Sequence, residues 1–103
     1  MKPKKIDRLL ETIRDFISSG RYREAAHAAQ RQTERKIILP IIIHVLMTGR
    51  HEKSKDSFDE FYNAWNYAIR GMTIDGQDLR VIVSFDSESG LLIITAFYLE
   101  KRK

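Results

Sequence analysis

The stretch Leu79-Arg80-Val81-Ile82-Val83-Ser84-Phe85 decides the fold, because its side chains alternate in character with a period of two. Large apolar residues occupy the odd-numbered positions, and Arg80 and Ser84 stand between them. A period of two places successive side chains on opposite faces of an extended chain. The stretch therefore predicts a β-strand with one face in the core.

Two further strands are predicted on either side of this one. Residues 65–74 have the composition of a strand, and the turn residues 75–78 separate them from the alternating stretch. Residues 86–90 form a second predicted turn before the apolar strand at residues 91–99. Short turns join antiparallel neighbours. With an exposed edge strand inside the polar residues 50–63, we expect a three- to four-stranded antiparallel sheet.

Helical periodicity dominates the N-terminal half. Apolar residues recur at helical spacing over residues 6–17, and Ser18-Ser19-Gly20 is typical of a helix end. A second helix is predicted from about residue 22 to residue 36. A short buried third helix is predicted over residues 40–47, because proline stands near its start and Gly49 follows its end. The predicted class is α+β, with N-terminal helices packed on one face of the sheet.

The chain has 103 residues, no cysteine and a net charge of +4. Its length fits one domain, residues 1–103. The absence of cysteine excludes disulfides, thiolate catalysis and cysteine-based zinc sites, and it is compatible with a reducing cytoplasm. The longest apolar run, residues 37–45, contains Pro40 and His44 and is too short to span a bilayer, so no membrane partner is expected. The basic charge favours polyanionic partners without requiring them.

Three side chains recur every four residues in the predicted second helix: His27, Arg31 and Arg35. This spacing stacks them on one helical face. An imidazole beside two guanidinium groups can grip a phosphate and move a proton near it. Two arginines at this spacing cost helix stability, so helix formation gives no reason for them. The alternative is a solvated face stabilised by the pairs Glu24–His27 and Arg31–Glu34.

Other candidate side chains have structural explanations. His44 is the only polar side chain of its apolar segment, and we expect it at the edge of the core. Phe61, Tyr62 and Trp65 either stack on bases or cover the core and contact a partner. Carboxylates with metal-ligand spacing are not evident, so neither a metal nor another cofactor is expected.

The residues around His27 also carry a family resemblance. The run His27-Ala28-Ala29-Gln30-Arg31-Gln32-Thr33-Glu34-Arg35-Lys36-Ile37 resembles the pattern His-Ala-x-x-Arg-x-x-Glu-Arg-Gly-Ile of a bacterial family of domains of unknown function. Lys36 stands where that pattern has glycine. The resemblance covers about residues 22–98. It extends over these further segments: Tyr67-Ala68-Ile69-Arg70-Gly71, Asp75-Gly76, Leu79-Arg80-Val81-Ile82-Val83 and Ile93-Ile94-Thr95-Ala96-Phe97-Tyr98.

That family is similar to the RelE and BrnT toxins, small ribonucleases of toxin–antitoxin operons. The resemblance implies a RelE/barnase-like fold, with residues 1–20 as an N-terminal helical addition and residues 21–99 as a RelE-like toxin domain. It implies cleavage of RNA, either free mRNA or mRNA on the ribosome. It also implies a cognate antitoxin protein as partner and a cytoplasmic location.

The resemblance also assigns roles to individual residues. The implied catalytic residues are His27, Arg31, Arg35 and Tyr98, and the implied RNA phosphate contacts are Arg70 and Arg80. Metal-free RNA cleavage uses the 2′-hydroxyl of the substrate as nucleophile. Histidine transfers the protons, and arginine stabilises the charge that develops on the phosphorus.

Two other functions remain open at this point. The first is a non-catalytic module that binds RNA or protein, either a regulator or a degenerate toxin with the same fold. The second is a structural protein whose apolar third helix docks a partner. Loss of His27 distinguishes catalysis from binding, because arginines alone suffice to bind phosphate.

Overall fold

The computed structural model describes residues 2–99, with the backbone but not the side chains of residues 27, 28, 31 and 32. The helices within this range are α1 (Leu9–Ser18), α2 (Ala26–Arg35) and α3 (Leu39–Thr48), with one 3₁₀ turn at Lys53–Lys55. The strands are β1 (Tyr22–Glu24), β2 (Arg50–His51), β3 (Ser57–Asp59), β4 (Ala64–Met72), β5 (Asp78–Asp86) and β6 (Gly90–Tyr98). The α+β class is confirmed.

The three longest strands form the predicted antiparallel meander, in the order β6-β5-β4. The complete open sheet has six strands, more than the three or four expected from the sequence. β1 pairs in parallel with the outer side of β6, while β2 and β3 pair antiparallel with different parts of β4. The additional strands have only two or three residues each, too few to produce a recognisable alternation.

The prediction of helix from residue 22 was wrong for its first turn. Tyr22–Glu24 is a strand, and the helix begins at Ala26. Backbone hydrogen bonds explain the difference: the Leu91 N–H donates to the Arg21 carbonyl, and the Ala25 N–H donates to the Ile93 carbonyl. Pairing with an available sheet edge outweighs the helical spacing of this segment.

Helices α1 and α3 cover one face of the sheet. Leu9 and Ile13 of α1 and the buried face of α3 join the apolar side chains of β4, β5 and β6 in one core. Arg14 of α1 also fixes the end of α3, since its guanidinium donates to the carbonyls of Leu46, at 3.3 Å, and Gly49, at 3.0 Å. The carbonyls at a helix end otherwise lack partners, so this contact ties the two helices together.

The third helix was predicted correctly, and its apolar side chains are used within the fold. Ile42, Val45 and Leu46 are fully buried. These three side chains are therefore not available to the partner that the structural-protein alternative requires. Among residues 2–99, no helix is long and apolar enough to cross a membrane.

Candidate nucleic-acid interface

The face of the sheet opposite α1 and α3 carries the arginines of the strands. Leu79, Val81 and Val83 of β5 are buried in the core, so Arg80, between two of them, projects from the other face. Residues directly opposed on neighbouring strands share a face. The register therefore defines what we call the arginine face, marked by Arg50, Arg70, Arg80 and Phe97.

These four residues form one row across four strands. Arg50 of β2 is opposed to Arg70 of β4, which is opposed to Arg80 of β5, which is opposed to Phe97 of β6. Neighbouring strands lie about 5 Å apart, so the backbone positions of the three arginines lie within roughly 10 Å of one another. Like charges directly opposed in a sheet are destabilising. Sheet stability alone therefore does not account for this row.

Two carboxylates offset part of this charge. Arg70 grips Asp78 through two nitrogens: Nε lies 3.0 Å from Oδ1, and Nη2 lies 2.5 Å from Oδ2. The third nitrogen, Nη1, donates to Glu52 Oε2 at 3.1 Å. The other oxygen of Glu52, Oε1, accepts from Arg80 Nε at 2.6 Å. The carboxylate of Glu52 thus bridges the two opposed arginines.

The pKa values follow from these contacts. The hydrogen bond from Arg80 lowers the pKa of Glu52, with a further contribution from Arg70. The hydrogen bond from Arg70 lowers the pKa of Asp78, and the charge of Arg50 adds to that effect. The pKa of Arg70 is raised by the same two carboxylates. Both acids are therefore ionised at neutral pH and reduce, without removing, the positive charge of the row.

Arg35, at the end of α2, reaches this face of β6. Its Nη1 lies 3.3 Å from Thr95 Oγ1 and 2.8 Å from the carbonyl oxygen of Ala96. Thr95 is opposed to Ile82. Ile82 is two residues from Arg80 on β5, so both side chains lie on the face opposite the core. Arg35 therefore brings a fourth guanidinium group to the β6 side of the arginine face.

The remaining two members of the predicted helical motif lie outside the described side chains. Positions 27 and 31 are on the helical backbone of α2, two turns and one turn before Arg35. The side chains of His27 and Arg31 belong to the residues that the structure leaves undescribed.

Tyr98 is not brought together with Arg70 and Arg80. It is opposed to Leu79, which is fully buried in the core, so the two share the helix-covered side of the sheet. At the end of β6, Tyr98 lines a hollow of about 390 Å³ together with Gln77, Asp78 and Leu99. Asp78, which also contacts Arg70, links this hollow with the arginine face.

The structure also gives the surroundings of the other sequence candidates. His44 is half-buried, as expected for the edge of the core, and lines a hollow of about 670 Å³ with Arg50 and Arg70. The indole of Trp65 donates to the Pro3 carbonyl at 2.8 Å, so the N-terminal segment covers it. Phe61 is 86% exposed and remains available to a partner. Within the described residues, no three His, Cys, Asp or Glu side chains form a group that could hold a metal ion.

Sequence reasoning missed Arg50, Glu52 and Asp78. A signal for them exists, because residues two apart on a strand share a face. Asp78 and Arg80 are so spaced, and Arg50 and Glu52 are two apart at the start of the polar segment. The link between these two pairs required the pairing of β2 with β4, which spacing does not reveal.

Comparison with protein families places most of the chain in one family. Residues 25–98 match the model described as Domain of unknown function (DUF4258). The match includes α2, α3 and all strands except β1, and it omits α1. No curated protein matches the chain, and no solved structure matches it either.

Proposed function

Since the chain belongs to the DUF4258 family of domains of unknown function, we propose that it binds RNA on the arginine face and cleaves it without a metal ion. In this proposal the chain has a RelE/barnase-like fold and is the toxin of a toxin–antitoxin pair. RNA, as free mRNA or mRNA on the ribosome, is its substrate. A cognate antitoxin is its protein partner, and the cytoplasm is its location.

The observation that carries this proposal is the row of three opposed arginines with Arg35 beside it. Arg50, Arg70 and Arg80 lie on one face, where their mutual repulsion is only partly offset by Glu52 and Asp78. Arginine binds phosphate well because its planar fork of donors matches phosphate oxygens. A chain of phosphates crossing the strands would meet these groups in turn.

We assign the RNA cleavage reaction to three side chains of α2 because of their residue types. The substrate's 2′-hydroxyl attacks the adjacent phosphorus, and the bond to the 5′-oxygen breaks, leaving a cyclic phosphate. The 2′-hydroxyl loses its proton and the leaving 5′-oxygen gains one. His27 carries out one of these two transfers and water the other, and such a transfer by a side chain is worth about 10²–10⁴-fold in rate. Arg31 and Arg35 stabilise the charge that develops on the phosphorane, because preorganised cations there stabilise the transition state more than the ground state.

A non-catalytic binding module is the second candidate. It is favoured by one observation, the engagement of every nitrogen of Arg70 by Asp78 or Glu52. An arginine held in this way is suited to keeping the surface in shape, and it is open to phosphate only after a carboxylate leaves it. This candidate predicts RNA binding that does not depend on His27.

Expression in a bacterial host tests the proposal and separates the two candidates. The parent chain should arrest growth, and the His27→Ala variant should relieve the arrest at equal protein level. Arrest by both proteins would exclude catalysis by His27. Growth equal to the empty vector with both proteins would exclude the toxin function.

A further inference from the structure

Glu52 occupies the place that an oxyanion would take between the opposed arginines of the sheet. Its Oε1 lies 2.6 Å from Arg80 Nε, and its Oε2 lies 3.1 Å from Arg70 Nη1. A carboxylate has the same charge and the same paired acceptor oxygens as one edge of a phosphodiester. Arg70 and Arg80 therefore already bind a carboxylate of the chain itself, which resembles a phosphodiester in charge and in its acceptor oxygens.

Backbone hydrogen bonds hold the main chain of Glu52 next to the two arginines. The Glu52 N–H donates to the Ala68 carbonyl at 2.8 Å, and its own carbonyl accepts from the Lys55 N–H at 2.9 Å, in the 3₁₀ turn. Glu52 follows β2 immediately, so pairing of Arg50 with Arg70 fixes its distance from the arginines. These bonds involve only backbone atoms, so they do not require the carboxylate to stay on the arginines.

We propose that Glu52 is an internal competitor of the RNA phosphate, so that its carboxylate must leave Arg70 and Arg80 before the substrate binds there. This rests on the proposed function for the identity of the ligand as RNA. The competition itself rests on the geometry alone. It makes Glu52 the residue that sets how strongly a polyanion must compete to occupy the row.

The two acids of the face have different roles in this account. Asp78 contacts Arg70 through two of its nitrogens, Nε and Nη2. It positions one arginine. Glu52 contacts both arginines through different oxygens, so it bridges them.

The test compares binding of single-stranded RNA and of inorganic tripolyphosphate by the parent and by Glu52→Gln. If the carboxylate occupies the arginines in about nine molecules of ten, its removal raises apparent affinity about tenfold.

Glu88→Gln is the matched control, because Glu88 is an exposed acid in the turn at the other end of β5. Its affinity should stay within about twofold of the parent, since charges at that distance are screened. In the double variant with Arg80→Gln, the gain should disappear.

A second variant guards against loss of the fold. Glu52→Asp keeps the charge but shortens the side chain, so one carboxylate cannot reach both arginines, and an intermediate gain is expected. Unchanged or weaker binding by folded Glu52→Gln would overturn the proposal, as would failure of both variants to fold. Absence of RNA cleavage by every variant would refute the proposed function. A gain with tripolyphosphate that depends on Arg80 would still support the competition.

Discussion

Arg70 on β4 and Arg80 on β5 are directly opposed in the antiparallel ladder, and a single carboxylate, that of Glu52, contacts both guanidinium groups. The contact offsets part of the repulsion between the two arginines, and the row as a whole stays positively charged. Tests of RNA binding on the arginine face depend on this relationship, because in our proposal RNA must displace the Glu52 carboxylate from both arginines.

RNA affinity should depend on the arginine row in a salt-dependent way. Each lost phosphate contact on single-stranded RNA should flatten the log–log dependence of affinity on salt by about 0.7. Arg80→Gln should therefore weaken binding and reduce the slope, as measured by fluorescence anisotropy over a range of salt concentrations. Arg8→Gln is the control, because Arg8 is an exposed residue at the start of α1. Equal slopes for both variants would remove Arg80 from the RNA interface.

Gly49 should be intolerant of a side chain. A Cβ added there would lie 2.6 Å from the backbone oxygens of both Arg70 and Val45, so the backbone would have to shift. Overpacking of this kind costs about 1–3 kcal/mol. Gly49→Ala should lower the free energy of unfolding in urea by that amount. Gly71→Ala should cost less, since its nearest contact is 3.0 Å. The reverse order would contradict the packing of α3 against β4.

Replacing Lys36 with glycine should make the fold more stable. Its φ of 60° places it in the left-handed region directly after α2, where glycine is the usual residue. Removing the strain of this conformation should raise the free energy of unfolding by roughly 1 kcal/mol. The greater conformational entropy of glycine in the unfolded chain offsets part of that gain. Lys36→Gly should raise the urea midpoint. Asn63→Gly is the control and should gain less, because asparagine tolerates its φ of 51°. A loss of stability in Lys36→Gly would refute this explanation.

Acid should destabilise the fold through the arginine face. The pKa values of Glu52 and Asp78 are lowered in the folded state from their ordinary values of 4.5 and 3.8. Their contribution is complete above those values and is lost as pH falls through the lowered ones. The free energy of unfolding should therefore fall below about pH 4.5. Urea titrations should show a smaller acid-induced loss in Glu52→Gln and Asp78→Asn. An equal loss in both variants and the parent would contradict these assignments.

The central sheet could be predicted from sequence because its signal is local. The alternation in residues 79–85 gave β5, and the flanking turns gave β4 and β6. Strand β1 could not be predicted, since Tyr22–Glu24 is extended only by pairing with a strand distant in the chain. The network of Glu52 escaped prediction for the same reason, because it depends on which strand β2 joins.

The position of Tyr98 shows that one β-bulge is enough to make a prediction from strict alternation wrong. Strict alternation from the buried residues Leu91 and Ile93 would send Tyr98 to the arginine face. The register shifts between Ile82 and Val83, however, and Ile94 is skipped in the pairing. A bulge of this kind reverses the faces of the residues beyond it. Ala96 and Tyr98 therefore join the core side.

Cleavage of one RNA oligonucleotide in excess EDTA tests the central claim most directly. The parent should cut it and leave a 2′,3′-cyclic phosphate, and His27→Ala should be slower by about 10²–10⁴-fold while remaining folded. The same oligonucleotide with a 2′-O-methyl group at the scissile nucleotide should resist cleavage, because its nucleophile is blocked. Cleavage of the methylated substrate, or activity lost in EDTA and restored by magnesium, would contradict the account.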